Sequence, residues 1–173
     1  MKIMATFDGS TYSESTLPQL VQMARMPDIE FLLVRVDDQP TGQSAGSGRT
    51  PPSTIIASGS TTVVGPGDAP PVETKNQAVE RVLAEMTDYL RDIASRLPPG
   101  STCRFEPRIS DDAAAEIIKL ALAERPDVIV MATHGRTGVV RAIFGATAEK
   151  VVRSGVAPIY LVHPEEAHKR SET

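Results

Sequence analysis

Residues 128–163 read VIVMATHGRTGVVRAIFGATAEKVVRSGVAPIYLVH and carry the chain from one apolar run to another through a glycine-bearing loop. VIVMAT (128–133) and IYLVH (159–163) are mostly apolar without strict alternation, the pattern of strands covered by helices on both faces. Between them Gly145 precedes Ala148, Val151 and Val152, which share one face of a helix. Strand, loop, helix and strand in that order are the signature of a parallel βαβ unit.

The same alternation extends upstream. Strands are expected at Lys2 to Phe7, Glu30 to Val36, Cys103 to Ile109, Val128 to Thr133 and Ile159 to His163. The first helix is expected to follow Ser13 and end before Pro27, with Leu17, Leu20, Val21 and Ala24 inward. A second, from about Asn76 to Leu97, is the clearest: Val79, Val82, Leu83, Met86, Leu90, Ile93, Ala94 and Leu97 recur at steps of three and four, and Pro98-Pro99-Gly100 stops it. A third follows the candidate caps Ser110, Asp111 and Asp112 and turns Ile117, Leu120 and Ala121 inward. The fold class is therefore α/β, an open parallel sheet of five strands with helices on both faces. Residues 39–75, rich in Gly, Ser, Thr and Pro, interrupt the pattern and are expected to form a flexible insertion; residues 165–173 form a polar tail.

A chain of 173 residues, 40% hydrophobic and 23% charged, has the size and balance of one globular domain. Only 4% of residues are aromatic and Trp is missing, so the core must be aliphatic, and the stacking platforms of single-stranded nucleic-acid binders are lacking. The net charge of -4, without a Lys/Arg run in the folded part, gives no electrostatic support for nucleic acid or a membrane surface. MKIMATFDGS begins a strand at once, no apolar stretch approaches a membrane span, and the one cysteine, Cys103, fits a reducing compartment. A cytoplasmic location is expected.

In open α/β sheets ligands bind beyond the carboxyl ends of the strands, where the strand order reverses. Three stretches converge there: Phe7-Asp8-Gly9-Ser10, Val36-Asp37 and the loop from Met131 to Ala146. Asp8 is either a ligand for ribose or adenine donors or part of the helix start formed with Thr11, Ser13 and Glu14. In the later loop Gly135 and Gly138 permit close backbone approach, and Gly145 exposes N–H groups at a helix N-terminus, a site for phosphate. Thr133, Thr137 and Thr147 add hydroxyls, and Arg136 can close over an anion; equally, the stretch can be a long loop with a solvated Arg.

The chain has no Gly-x4-Gly-Lys-Ser/Thr, no Gly-x-Gly-x2-Gly after the first strand and no Cys-x2-Cys. His134 is the one histidine within the candidate loop, with no nucleophile suggested beside it, and Cys103 reads as a small buried apolar residue.

FDGS after the first strand, LLVRVDD in the second, DVIVMATHGRTG and GATAEKVVRSGVAPIYLVHP occur here in the order that they take in the universal stress protein family, which this chain resembles. The resemblance implies a flavodoxin-like sheet of order 3-2-1-4-5 and a homodimer paired through the last strand. It also implies membership of a family divided between ATP-binding and non-binding proteins. Binding members carry Gly-x2-Gly-x9-Gly-Ser/Thr; here the spacing is kept, but Ala132 replaces the first Gly and Ala146 the hydroxyl residue.

By the same resemblance Asp8 contacts the nucleoside, Val36 sets its backbone against adenine, and Met131 and Ala132 line the base and ribose side. Gly135, Arg136, Gly138, Gly145, Ala146 and Thr147 form the phosphate side. The ligand implied is ATP or AMP, with Mg as an optional companion, and no catalysis beyond slow ATP hydrolysis. Two alternatives stay open: a member without ATP that acts through protein contacts, and an ATP-dependent enzyme of the related adenine-nucleotide hydrolase type. The second lacks its Ser-Gly-Gly-x-Asp-Ser loop here.

Overall fold

The computed structural model describes residues 1–40, 74–133 and 145–163. In chain order its elements are β1 (Lys2–Phe7), α1 (Thr11–Glu14), α2 (Leu17–Met23), β2 (Glu30–Asp37), α3 (Lys75–Ser95), β3 (Thr102–Ile109), α4 (Ala113–Glu124), β4 (Val128–Ala132), α5 (Ala146–Ser154) and β5 (Ile159–Val162). The five strands form one parallel sheet of order β3-β2-β1-β4-β5. The chain winds outward from β1 to β3, then crosses back to place β4 on the other side of β1. The strand order therefore reverses at β1, and a crevice opens there.

Alternation along each strand feeds two cores. Ile3, Ala5, Phe7, Phe31, Leu33 and Val130 meet Leu17 and Leu20 of α2 and Leu90 and Ile93 of α3. Met4, Leu32, Val34, Val36, Ile129 and Met131 meet α4 and α5 through Ala114, Ile117, Leu120, Ala148 and Val151. Because both faces of β1, β2 and β4 are covered, those strands are apolar almost throughout, and burying each large aliphatic side chain contributes about 1.5–3 kcal/mol.

The single helix expected after Ser13 is two helices, and the first starts earlier, at Thr11 with Ser10 as its cap. Pro18 explains the break: it has no N–H to give to the carbonyl four residues back, so the ladder is interrupted and a new helix begins with Pro18 in its first turn. Thr74 starts α3 with a capping box, its hydroxyl accepting from the Gln77 N–H while the Gln77 side chain accepts from the Thr74 N–H. Asp112 is the cap among the three candidates before α4, with Oδ1 3.1 Å from the Ala115 nitrogen. The bond to Ala115 first and Lys150 second hold its carboxyl below the usual carboxylate range. β2 runs one residue further than expected, β3 begins one residue earlier, and β4 and β5 each end one residue sooner. Most of the expected insertion, 41–73, and the tail 164–173 lie outside the described residues.

The two sheet edges differ. β3 carries Arg104, Glu106 and Arg108 along its length and Pro107 within it, and its Arg108–Glu106 pair closes at 2.7 Å. β5 is four residues of IYLV, with Tyr160 44% exposed. Charges and a proline discourage further strand pairing at β3, and no such residue stands within β5.

Candidate functional site

A cavity of about 320 Å³ opens at the carboxyl ends of β1, β2 and β4, between the first turns of α4 and α5. Val34, Val36, Ile117, Met131 and Ala148 give it an apolar floor. Asp8, Asp37 and Asp38 line it from the β1 and β2 ends; Thr133, Gly145, Ala146 and Thr147 line it from the β4 and α5 ends. Carboxylates on one side accept hydrogen bonds, and a helix N-terminus on the other attracts an anion.

The carboxylate of Asp8 is oriented by the helix that follows it. Its Oδ1 accepts from the Ser10 nitrogen at 3.0 Å and the Ser10 hydroxyl at 2.6 Å. That same Ser10 Oγ accepts from the Ser13 N–H at 3.2 Å, and the Ser13 hydroxyl accepts from the Asp8 N–H at 3.3 Å. Ser10 is thus the cap of α1, and Asp8 stands at the cavity wall held by that cap.

Gly9 between them has φ +78°, and a β-carbon there would lie 3.0 Å from Cζ of Arg35. The guanidinium of Arg35 is therefore packed on the Gly9 backbone. It also lies 4.8 Å from the centroid of the Tyr89 ring and donates to Asp37 Oδ2 through Nε at 3.0 Å and Nη2 at 2.7 Å. Tyr89 in turn packs edge-on to Phe7 and donates to Glu14 at 3.3 Å. Burial first and the Glu14 charge second push the Tyr89 phenol up to about 12. Through Arg35, α3 bears on both the β1 loop and a carboxylate that lines the cavity.

At the other side α5 begins at Gly145 without a side-chain cap, whereas Ser10, Thr74 and Asp112 cap α1, α3 and α4. The Gly145 N–H donates to the carbonyl of Thr133, so the N–H groups of the first turn that follow have no intrahelical acceptor. Thr133, 6% exposed, also donates its N–H to Val162 at 2.9 Å and sets Oγ1 3.0 Å from Nδ1 of His163.

Of the residues singled out from sequence, Asp8, Val36, Met131, Ala132, Gly145, Ala146 and Thr147 all line this one cavity. Gly135, Arg136 and Gly138 lie outside the described residues, as do His134 and Thr137. Asp38 and the α4 residues Ala113 and Ile117 were not anticipated. The signal for the α4 pair was available: a helix starting directly after β3 on that face must bring its first turn beside Val36. Among the described residues no three His, Cys, Asp or Glu side chains are grouped to hold a metal. No helix among them is long and apolar enough to cross a membrane.

The sequence profile of the universal stress protein family matches residues 1–163. The chain belongs to the universal stress protein family. A universal stress protein of Methanothermobacter thermautotrophicus is 34% identical over 101 residues, which span 54% of this chain and 68% of that protein. One of Methanocaldococcus jannaschii is 39% identical over 49 residues, 28% of this chain and only 29% of the relative's length.

Solved structures agree on the universal stress protein fold. The structure of the hypothetical protein MJ0577 superposes with a TM-score of 0.71 at 20% identity, covering 96% of this chain and 97% of that one. A universal stress family protein of Arabidopsis thaliana, solved with AMP bound, superposes with a TM-score of 0.55 at 17% identity, covering 99% and 97%.

Proposed function

We propose that this universal stress protein binds an adenine nucleotide, AMP or ATP, and acts as a regulatory dimer rather than through strong catalysis. The carrying observation is the polarity of the cavity: three Asp residues at one end, an apolar floor, and an uncapped helix N-terminus at the other. A nucleotide presents hydroxyl and amino donors, a flat apolar base and an anion in matching order. The AMP in the Arabidopsis relative supports the same reading. Asp8 would take the ribose, Val36 and Met131 the base, and Gly145, Ala146 and Thr147 the phosphate nearest the helix. Where ATP is the ligand, Mg²⁺ is an optional companion.

The contrast between the two edges supports pairing through β5: one is guarded by charge and proline, the other is short and apolar and carries neither. Two β5 strands side by side would cover Tyr160 and continue the sheet.

Heat-released supernatant of freshly purified protein should contain adenine nucleotide, and calorimetry should give saturable heats with AMP and ATP. No carried nucleotide together with no heat at millimolar ligand would overturn the reading. It would then favour a member that works through protein contacts alone, a reading that Ala146 in place of a hydroxyl residue specifically motivates.

A further inference from the structure

Two stretches that leave adjacent strands build the carboxylate end of the cavity: Asp8 in the β1 loop, and Val36, Asp37 and Asp38 at the end of β2. Ser10 orients the Asp8 carboxylate, but it belongs to the same loop and cannot fix where that loop stands relative to β2. Arg35 joins the two. Its guanidinium donates twice to Asp37, at 3.0 and 2.7 Å, and lies 4.8 Å from the centre of the Tyr89 ring. The left-handed backbone of Gly9 rests on it so closely that a β-carbon there would lie 3.0 to 3.2 Å from three guanidinium atoms. Successive residues of a strand face opposite ways, so Val36 faces the cavity while Arg35 bears on the loop from the α3 side of the sheet. A planar fork that pairs along its edge and stacks on its faces can serve all three neighbours, which an ammonium cannot.

We propose that Arg35 is a positioning residue for the nucleoside: it holds the β1 loop at a fixed distance from the end of β2, so that the Asp8 carboxylate meets the ribose hydroxyls while Val36 and Met131 hold the base. This inference rests on the nucleotide reading above. Arg35 itself need not touch the ligand. It carries the loop on a guanidinium whose own place is set by Asp37 and Tyr89, with only 18% of the arginine side chain exposed.

Calorimetric affinities for AMP and 2′,3′-dideoxy-AMP test it on the full chain, because their ratio reads the ribose contact alone. The wild type should prefer AMP about ten- to a hundredfold, the effect of hydrogen bonds to a charged group. Asp8→Ala and Arg35→Ala should each cut that preference about tenfold by weakening AMP. Both should leave the dideoxy analogue within about twofold of the original, and the two together should cut the preference no further than either alone. Gly9→Ala, which pushes the guanidinium aside, should lower the preference as well, and Gly100→Ala should not. Arg35→Lys keeps the charge without the fork and should behave as Arg35→Ala. Because Arg35→Ala also removes the counter-charge of Asp37, Arg35→Leu combined with Asp37→Asn repeats the test without that imbalance and should show the same loss.

Full preference in Arg35→Ala or Arg35→Lys, equal weakening of both ligands, or losses that add in the Asp8 and Arg35 double variant would overturn the proposal while nucleotide binding stands. So would a wild-type protein that holds the two ligands equally. A wild-type protein that binds neither overturns the nucleotide reading with it.

Discussion

Replacing Gly9 by Ala tests how the β1 loop is built, and Gly100 provides the comparison. Both glycines have left-handed backbones, φ +78° and +88°, so an added methyl costs each about 1–2 kcal/mol of backbone strain. At Gly100 nothing lies within 4 Å of the new β-carbon. At Gly9 the three guanidinium atoms of Arg35 lie 3.0, 3.1 and 3.2 Å away. Arg35 cannot simply swing aside, since it faces the Tyr89 ring and pairs with Asp37, the two charged side chains being only 18% and 13% exposed.

Displacing the guanidinium should forfeit about 1 kcal/mol from the ring contact and up to about 1 kcal/mol from the ion pair. Gly9→Ala should therefore cost about 2–4 kcal/mol and Gly100→Ala about 1–2 kcal/mol. For a chain of this size the first lowers the melting temperature by about 5–10 °C. Urea unfolding of both variants, and of Gly9→Ala in an Arg35→Ala background, measures the difference. With Arg35 truncated, the cost at Gly9 should fall to that at Gly100. If Gly9→Ala costs no more than Gly100→Ala, or its cost is the same without Arg35, the packing argument is wrong.

Restoring a hydroxyl by Ala146→Ser should tighten AMP or ATP about tenfold or more in calorimetry, the yield of one hydrogen bond to a charged group; no change would place the phosphate elsewhere. Tyr160→Lys on the β5 edge should convert a dimer to a monomer in light scattering, whereas Arg104→Lys on the guarded edge should leave the mass unchanged. With the Tyr89 phenol raised from 10.0 to about 12, the folded state keeps its proton longer than the unfolded chain. That contribution is whole below pH 10 and fades as pH rises toward 12. The wild type should therefore lose stability against Tyr89→Phe across that interval, and a 295 nm titration should show a late-ionising phenol that Tyr89→Phe removes.

Runs such as FLLVRV and VIVMAT made the strands legible, because burial on both faces leaves little room for polar residues. What the pattern could not show was the break at Pro18, since Leu17, Leu20, Val21 and Ala24 keep one apolar face on either side of it. Periodicity reports which side of a helix is buried, and it is blind to a missing N–H. Site residues at strand ends and helix starts were readable, as with Asp8, Val36 and Gly145, because their places follow from topology. Links that depend on side-chain reach were not. Nothing in the order of residues says that Arg35 lies on Gly9, that Ser10 rather than Asp8 caps α1, or that Thr133 meets His163.

The reciprocal bonds between Thr74 and Gln77 mean that α3 takes its origin from its own first turn. Tyr89 lies about four helical turns on, so its approach to Arg35 is counted from Thr74 and not from the end of β2. The phase at which that helix presents Tyr89 to the guanidinium is thus set at residues 74 and 77.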